Sequence, residues 1–156
     1  MRSGKKVGAL KHVHEENFTV DAKGKDSRMM KNAGASTVVV LSQNELAVIR
    51  KVSEEKLRLG EILQLFRNDK VDYVLIEGLY RQFSRKRGII KILCAQNEDD
   101  ARRLLRVKPT PVCIVGKIAN RSDARSFEGS PLLKLPKDAR NLLAYVRGEQ
   151  RTGSKK

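Results

Sequence analysis

The sequence predicts an α/β domain in which helices flank a mostly parallel sheet. Runs of Val, Ile and Leu alternate with segments that repeat apolar residues at helical spacing, and strands buried in a parallel sheet are typically such continuous runs. The chain has no Trp and only 4% aromatic residues, so its core must rest on aliphatic side chains. A content of 40% hydrophobic and 33% charged residues favours a folded chain over a disordered one.

The first half of the chain opens with an apolar strand at residues 7–10. Residues 26–34 favour a short helix, in which Asp26 or Ser27 can cap the N-terminus and Gly34 suits the C-terminal end.

A β-branched run at residues 37–41 predicts a buried strand. Residues 45–52 predict a second strand, antiparallel to it across a short turn. Apolar residues then recur at helical spacing over residues 53–68. The apolar run at residues 72–76 predicts a further strand, and Glu77 follows it directly.

The second half continues the alternation of strands and helices. The predicted segments are a strand at 89–95, a helix that opens at 97–100, a strand at 111–116 and a helix at 136–148 with Pro136 in its first turn. We expect a single domain over residues 1–148 and a polar C-terminal tail over residues 149–156.

The net charge of +15 indicates an anionic partner. Nucleic acid, an anionic membrane surface and a phosphorylated small molecule all fit such a balance. The few aromatic residues and the lack of a helix-turn-helix or zinc-finger pattern disfavour nucleic acid, although a basic nucleic-acid-binding module stays as an alternative. A solvated Lys/Arg/Glu-rich surface also explains the charge.

Cysteine usage and hydropathy indicate a compartment. Cys94 and Cys113 lie inside apolar runs, and we expect two buried, reduced thiols. Neither a signal peptide nor an apolar run of ~18 residues is found, so we expect a cytoplasmic protein with no membrane partner.

Polar residues follow two predicted strands at their carboxyl ends, where open α/β sheets bind ligands. Lys11, His12 and His14 follow the first strand, and Glu77 and Gly78 follow another. A carboxylate after an apolar strand can bind Mg²⁺, and a following Gly lets the backbone approach a phosphate. On a regular strand the two histidines would point to opposite faces, which disfavours a shared zinc ion, whereas a frayed strand end would allow one.

Residues 21–28 form a dense polar segment at the start of a predicted helix. They offer carboxylates, ammonium groups, a hydroxyl, a guanidinium and a Gly. Helix N-termini bind anions, but a plain capped helix with solvated charges explains the same residues. No segment of the chain fits the phosphate loop G-x-x-x-x-G-K-[ST].

The motifs resemble those of the molybdopterin-guanine dinucleotide biosynthesis protein B (MobB) family. Residues 7–14 read V-G-A-L-K-H-V-H, and Phe18, Asp21, residues 24–27 (G-K-D-S) and residues 33–35 (A-G-A) continue that family's conserved block. Residues 73–79 are similar to its V-L-V-E-G strand, which acts as the Walker B element. Arg28 stands one position before the usual Arg. Together the two matches cover residues 2–80.

The resemblance implies a P-loop NTPase-like fold with GTP and Mg²⁺ as ligands and a homodimer as the assembly. It implies an accessory protein that assists a MobA-type molybdopterin guanylyltransferase in joining GMP to molybdopterin, with at most slow GTP hydrolysis. The residues implied for nucleotide or phosphate binding are Lys11, His12, Gly24, Lys25, Ser27 and Gly78. Those implied for Mg²⁺ are Asp21, Asp26 and Glu77, and those implied for anion or cofactor contact are His14, Arg28 and Arg81.

The sequence departs from the family at its start. Members of the family begin with a strand, the phosphate loop and a helix, whereas residues 1–6 resemble only the end of that helix. We expect the first βα unit to be absent, which would expose the edges of two apolar strands. A start codon further upstream, a split or decayed gene and a loop supplied by another chain all explain this. A truncated, inactive P-loop NTPase fragment is therefore an alternative reading.

Overall fold

The structure is a computed structural model that describes residues 4–15, 17–53, 56–83, 85–106 and 110–149. The chain divides into two compact units, with the boundary between Gly78 and Leu79. The predicted single domain over residues 1–148 stays a prediction. In the part of the chain that the structure describes, no helix combines the length and the apolar character needed to cross a membrane.

The first unit contains two strand pairs and two short helices. Its elements are β1 (Val7–Lys11), α1 (Asp26–Asn32), β2 (Thr37–Leu41), β3 (Leu46–Arg50), α2 (Leu59–Gln64) and β4 (Tyr73–Glu77). β1 and β4 are parallel, with Val7 opposite Tyr73 and Lys11 opposite Glu77. β2 and β3 form an antiparallel hairpin, which confirms the predicted pairing of these two strands.

Asp72 joins the starting ends of β1 and β4. Its Oδ1 accepts a hydrogen bond from Lys5 Nζ at 2.7 Å, and its Oδ2 accepts one from the backbone N–H of Lys6 at 2.8 Å. The backbone N–H of Asp72 in turn donates to the carbonyl oxygen of Lys6 at 2.8 Å. The hydrogen bonds from Lys5 and Lys6 lower the pKa of the Asp72 carboxyl below its ordinary value. This carboxylate therefore fixes the register in which the two strands begin.

Phe66, which follows α2, packs directly against the backbone of β1 at Gly8. A Cβ atom built on Gly8 would lie 2.6 Å from Cδ1 of Phe66, closer than carbon atoms can approach. Position 8 must therefore lack a side chain for the ring to cover the strand.

The hairpin of β2 and β3 leaves most of its apolar side chains in water. Val38 is buried, but the other four positions of β2 are exposed, and in β3 Leu46 and Val48 are exposed as well. The prediction of a buried strand at residues 37–41 was therefore wrong about burial. A two-stranded sheet has two faces to cover, and the contact of α1 with β2 leaves these apolar side chains open to water.

The second unit contains the main core. Its elements are α3 (Tyr80–Phe83), β5 (Ile92–Cys94), α4 (Glu98–Leu105), β6 (Cys113–Val115), α5 (Lys117–Arg121), β7 (Ser126–Phe127), β8 (Ser130–Pro131) and α6 (Ala139–Arg147). β5 and β6 are parallel, and β7 and β8 are antiparallel. Successive side chains of β6 point to opposite faces, and both faces are covered.

On one face of β6, Ile114 packs in a cluster with residues of α4 and α5. The buried members of this cluster are Leu93, Ala95, Ala101, Ile114, Ile118, Ala119 and Leu132. On the other face, Cys113 and Val115 pack with Leu133 and with Leu142 and Tyr145 of α6. This arrangement agrees with the predicted aliphatic core of an α/β protein.

The two cysteines differ in their surroundings. Cys113 is buried, as predicted, and burial raises the pKa of its thiol to about 11. Cys94 is exposed, so the prediction of two buried thiols was wrong for this residue. Cys94 closes a three-residue strand at its carboxyl end, where apolar neighbours in sequence do not guarantee burial.

Helix ends differ from the predictions at several places. α2 begins at Leu59 instead of residue 53, because Arg58 is extended and its N–H is bonded to the side chain of Glu61. α6 begins at Ala139, three residues after Pro136. The helix opening at residues 97–100 is confirmed, and the side chain of Asn97 caps α4 by accepting from the N–H of Asp100.

Candidate functional site

Lys11 and Glu77 meet at the carboxyl ends of β1 and β4. The parallel register places them opposite one another as the last residues of both strands. The Nζ atom of Lys11 donates to Oε1 of Glu77 at 2.9 Å and to Oε2 at 3.0 Å. One ammonium group thus bridges both carboxylate oxygens, a pairing that the sequence prediction missed because it gave the two residues separate ligands.

This ion pair is open to water. The side chains of Lys11 and Glu77 are 66% and 70% exposed. Ion pairs at such exposure contribute about 0–1 kcal/mol, since water screens them and two flexible side chains must be ordered. Both groups are therefore accessible to a ligand and can exchange partners at small cost.

His12 and Gly78 extend the pairing one step beyond the strands. The N–H of His12 donates to the carbonyl oxygen of Glu77 at 2.9 Å. Gly78 has φ +89°, and a Cβ atom built there would lie 2.7 Å from Cβ of His12. Gly78 therefore lets the chain turn directly beside the histidine.

The rings of His12 and His14 are in contact, with centroids 4.3 Å apart and planes at 86°. The argument that they point to opposite faces assumed a regular strand, but β1 ends at Lys11 and both histidines lie beyond it. The inference of opposite faces held only for a regular strand, and it does not apply to residues beyond the strand end. Among the described residues, no group of three or more His, Cys, Asp or Glu side chains could hold a metal ion, so a zinc site has no support here.

Asp21 organises a second cluster, between the end of β1 and α1. Its Oδ1 accepts a hydrogen bond from Ser27 Oγ at 2.7 Å, and its backbone carbonyl accepts one from Nη1 of Arg28 at 3.2 Å. The structure therefore brings together three of the predicted site residues. The Oδ2 atom of Asp21 is buried and accepts no hydrogen bond from any residue that the structure describes.

Gly24, Lys25 and Asp26 lie on the exposed side of the same turn. Gly24 has φ +83°, and a Cβ atom there would meet nothing within 4 Å. Lys25 precedes α1 and its carbonyl oxygen accepts from the N–H groups of Arg28 and Met29. The predicted side-chain cap by Asp26 or Ser27 was wrong, because Asp26 is already helical and the hydroxyl of Ser27 is bonded to Asp21.

Two further residues belong to this cluster and were missed. Thr19 Oγ1 accepts from the N–H of Asp21 at 3.2 Å and from Lys31 Nζ at 3.4 Å. A Thr two residues before an Asp is a common turn pattern, and it could have indicated this contact.

Arg81, which was also predicted to be a site residue, lies in α3 of the second unit, and its side chain is outside the described part of the structure.

The carboxylates fit Mg²⁺ that arrives with a phosphorylated ligand. Mg²⁺ is usually bound by one or two carboxylates together with substrate phosphates and water. Glu77 offers an exposed carboxylate, and Asp21 offers a buried oxygen to which no described residue donates a hydrogen bond. Such oxygen donors suit Mg²⁺, but they do not form a cage made of protein alone.

Parallel strands that end at Lys11 and Glu77, with helices beside them, define an α/β protein. A family profile described as Molybdopterin guanine dinucleotide synthesis protein B matches residues 1–113. The chain belongs to this family, MobB, which confirms the resemblance carried by the sequence motifs.

Two relatives show how far the likeness extends. The molybdopterin-guanine dinucleotide biosynthesis adapter protein of Escherichia coli (strain K12) is 36% identical over 76 residues, covering 48% of this chain and 43% of the relative. The protein of the same name from Haemophilus influenzae is 33% identical over 93 residues, covering 60% of this chain and 48% of the relative. The chain thus spans less than half the length of each relative.

Solved structures share the fold. A crystal structure of molybdopterin-guanine biosynthesis protein B superposes with a TM-score of 0.64 at 21% identity, covering 92% of this chain and 81% of that protein. Bacillus subtilis MobB gives a TM-score of 0.64 at 20% identity, covering 96% and 83%. These likenesses confirm the predicted α/β fold class.

Proposed function

We propose that this chain is a GTP-binding accessory protein that assists the attachment of GMP to molybdopterin. The observation that carries the proposal is the cluster of Lys11, His12, Glu77 and Gly78 at the carboxyl ends of two parallel strands. Ligands of open α/β sheets bind at this edge, and the family's description supports molybdopterin guanine dinucleotide synthesis as the pathway. The nucleotidyl transfer itself belongs to a separate enzyme.

In this proposal the phosphates of GTP contact Lys11, His12 and Gly78, and the turn at residues 24–27 adds Gly24, Lys25 and Ser27. Glu77 would hold Mg²⁺, and Asp21 and Asp26, which the described residues do not gather with Glu77 into one metal-binding group, are proposed to act through water. Bound Mg²⁺ supplies positive charge to the phosphate oxygens. The chain's own residues bind and orient the nucleotide, and any GTP hydrolysis is slow. His14, Arg28 and Arg81 are proposed to contact the anionic cofactor.

A thermal melt of the full chain tests the nucleotide. Ligand that binds only the folded state stabilises it by about 2.7 kcal/mol at a hundredfold excess over Kd. We expect GTP with Mg²⁺ to raise the midpoint and ATP with Mg²⁺ to leave it unchanged. A melting midpoint that GTP does not change would refute the proposal. An equal rise with ATP would show that the site does not prefer guanine to adenine.

Glu77→Gln tests the metal role, because it removes the charge and keeps the shape. We expect this variant to lose the Mg²⁺-dependent part of the GTP effect. Glu45→Gln is the matched control, since Glu45 is an exposed carboxylate in the turn between β2 and β3. If Glu77→Gln retains the full Mg²⁺ dependence, Glu77 is not a metal ligand.

A MobA-type molybdopterin guanylyltransferase is the proposed partner. The relatives from E. coli and H. influenzae are described as adapter proteins of molybdopterin-guanine dinucleotide biosynthesis, which supports this assignment, and the cytoplasm is the proposed location. Sedimentation of the chain mixed with such a transferase should show a complex. If the two proteins sediment independently with and without GTP and molybdopterin, this partner is wrong.

We also propose that the protein is a homodimer that covers the exposed hairpin. Leu41 and Leu46 are 77% and 65% exposed, and exposed apolar strands favour pairing with another chain. Sedimentation equilibrium should give twice the monomer mass, and Leu46→Lys should shift it to monomer. Val20→Lys is the control, because Val20 is an exposed apolar residue outside the hairpin. A monomeric wild-type chain would contradict this assembly.

A further inference from the structure

Lys11 occupies the face of Glu77 that a divalent cation would need. We propose that Lys11 is a built-in counterion of Glu77, which a divalent cation must displace. The displaced ammonium group then becomes available to a phosphate of the same ligand. The inference rests on the proposed nucleotide site and adds a mechanism by which that site prefers a metal–nucleotide complex to either component alone.

The geometry makes the competition direct. Lys11 and Glu77 are paired in the parallel register, and neighbouring strands are about 4.8 Å apart. The ammonium nitrogen lies 2.9 and 3.0 Å from the two carboxylate oxygens. A cation on either oxygen would therefore meet a positive charge already in place, so the cation and Lys11 compete for the carboxylate.

The ion pair between Lys5 and Asp72, at the opposite end of the same two strands, has more hydrogen-bond donors and is less exposed. Asp72 receives the ammonium group of Lys5 on one oxygen and the backbone N–H of Lys6 on the other. Its side chain is 35% exposed, whereas that of Glu77 is 70% exposed. Within the described residues, the carboxylate of Glu77 accepts hydrogen bonds from the exposed side chain of Lys11 alone. Glu77 is therefore the carboxylate that can change partners.

The exchange couples two binding events. A cation alone must displace Lys11, and a nucleotide alone finds Lys11 engaged with Glu77. A nucleotide with its cation supplies a new partner to both residues, since the cation takes the carboxylate and a phosphate takes the ammonium group. Each ligand therefore raises the affinity for the other by the same factor.

Binding of Mn²⁺ to the full chain without nucleotide tests the inference, with free Mn²⁺ measured by electron paramagnetic resonance. Lys11→Met keeps the length of the side chain and removes its charge. We expect this variant to bind Mn²⁺ about two- to fivefold more tightly than wild type, the change that corresponds to losing a competing exposed ion pair. Lys11→Arg, which keeps the charge, should bind as wild type does.

Lys5→Met is the matched control. It removes the same charge from the other end of the same strand pair, so it reports the general effect of net charge, and we expect wild-type affinity. Glu77→Gln should abolish the difference between wild type and Lys11→Met. Equal or weaker Mn²⁺ binding by Lys11→Met, an equal gain in Lys5→Met, or no Mn²⁺ binding in any variant would each overturn the inference.

The two proposals can fail separately. If GTP with Mg²⁺ raises the melting midpoint but Lys11→Met binds Mn²⁺ no more tightly than wild type, the proposed GTP site is supported and the counterion role of Lys11 is wrong. If Lys11→Met gains affinity through Glu77 but GTP has no effect on the melt, the cation exchange stands and the nucleotide is wrong.

Discussion

Gly8 shows how one residue controls packing in the first unit. A Cβ atom at this position would lie 2.6 and 2.8 Å from two ring atoms of Phe66. Gly8→Ala should therefore displace the ring and lower the free energy of unfolding by about 1–3 kcal/mol, as overpacking usually does. Urea denaturation followed by circular dichroism measures this change.

Gly60→Ala is the control for that substitution. Gly60 lies in α2, and a Cβ atom there meets nothing within 4 Å. Replacing a helical Gly by Ala should stabilise the chain by about 0.5–1 kcal/mol. Equal effects of the two substitutions would show that the contact between Gly8 and Phe66 is unimportant.

Cys94 and Cys113 should differ in chemical reactivity. Alkylation requires the thiolate, and the pKa of Cys113, raised by burial to about 11, leaves almost none at pH 8. Cys94 is exposed and accessible to the reagent. We expect iodoacetamide to modify Cys94 alone in the folded chain and both residues in urea, as measured by peptide mass spectrometry. Rapid labelling of Cys113 without denaturant would contradict the buried position.

The candidate site was predictable residue by residue but not as a set of contacts. Lys11 and Glu77 could be identified because each follows an apolar run, and ligands bind where such strands end. Their bridging ion pair depends on the register between two strands far apart in the chain, which local sequence does not determine. The contact between His12 and His14 was missed for a similar reason, because it depends on where β1 ends.

At the scale of elements, Asp72 links the stability of the β1–β4 pair to pH. Lys5 and Lys6 lower the pKa of its carboxyl from the ordinary value of 3.8. A carboxyl with a lowered pKa in the folded state stabilises the fold fully above the ordinary value, and this contribution is lost as pH falls through the lowered pKa. Asp72→Asn should therefore weaken the protein at pH 7 and make its stability less sensitive to acid below about pH 4.

Urea denaturation of wild type and Asp72→Asn at several pH values measures this linkage. The difference between the two proteins should be largest near neutral pH and should shrink toward pH 3. Asp69→Asn, in the exposed turn after α2, is the control. A difference that stays constant with pH would show that the Asp72 charge does not stabilise the strand pair.

Elements with a strong local signal were predicted best. α4 begins with a capping Asn and three acidic residues, and both favour a helix N-terminus. β7 and β8 have two residues each, too few to show any periodicity. The helix predicted over residues 53–68 proved shorter because apolar spacing alone does not reveal where a chain becomes extended, as it does at Arg58.

At the scale of the whole molecule, burial is uneven. Among the described residues, the fully buried side chains of Cys113 and Ile114 lie in the second unit, whereas most apolar positions of the hairpin in the first unit are exposed. Regions with few buried apolar contacts open more readily. We expect the amide protons of β6 to exchange more slowly than those of β2 and β3, as measured by hydrogen exchange with mass spectrometry.

Concentration dependence distinguishes the causes of any protection in the hairpin. If β2 and β3 are protected as strongly as β6 only at high protein concentration, the proposed dimer covers them. If they are so protected at every concentration, the exposure seen in the structure does not describe the chain in solution.

The fold class was predictable because alternation of strands and helices is a property of the whole sequence. The division at Gly78 was not, because the units are defined by contacts between residues distant in the chain. Burial of the hairpin was overestimated for a related reason. A run such as residues 37–41 shows that a strand is apolar, but not whether the structure provides a layer to cover it.

The exposed hairpin has a consequence for how the protein is made in the cell. The first unit leaves the ribosome before the second, and at ordinary translation rates the remaining residues take on the order of ten seconds to follow. During this time the apolar strands β2 and β3 have already been synthesised, and the second copy of the proposed dimer has not yet covered them. We therefore expect chaperones to protect the nascent chain at this stage, and rapid overexpression to divert it into inclusion bodies.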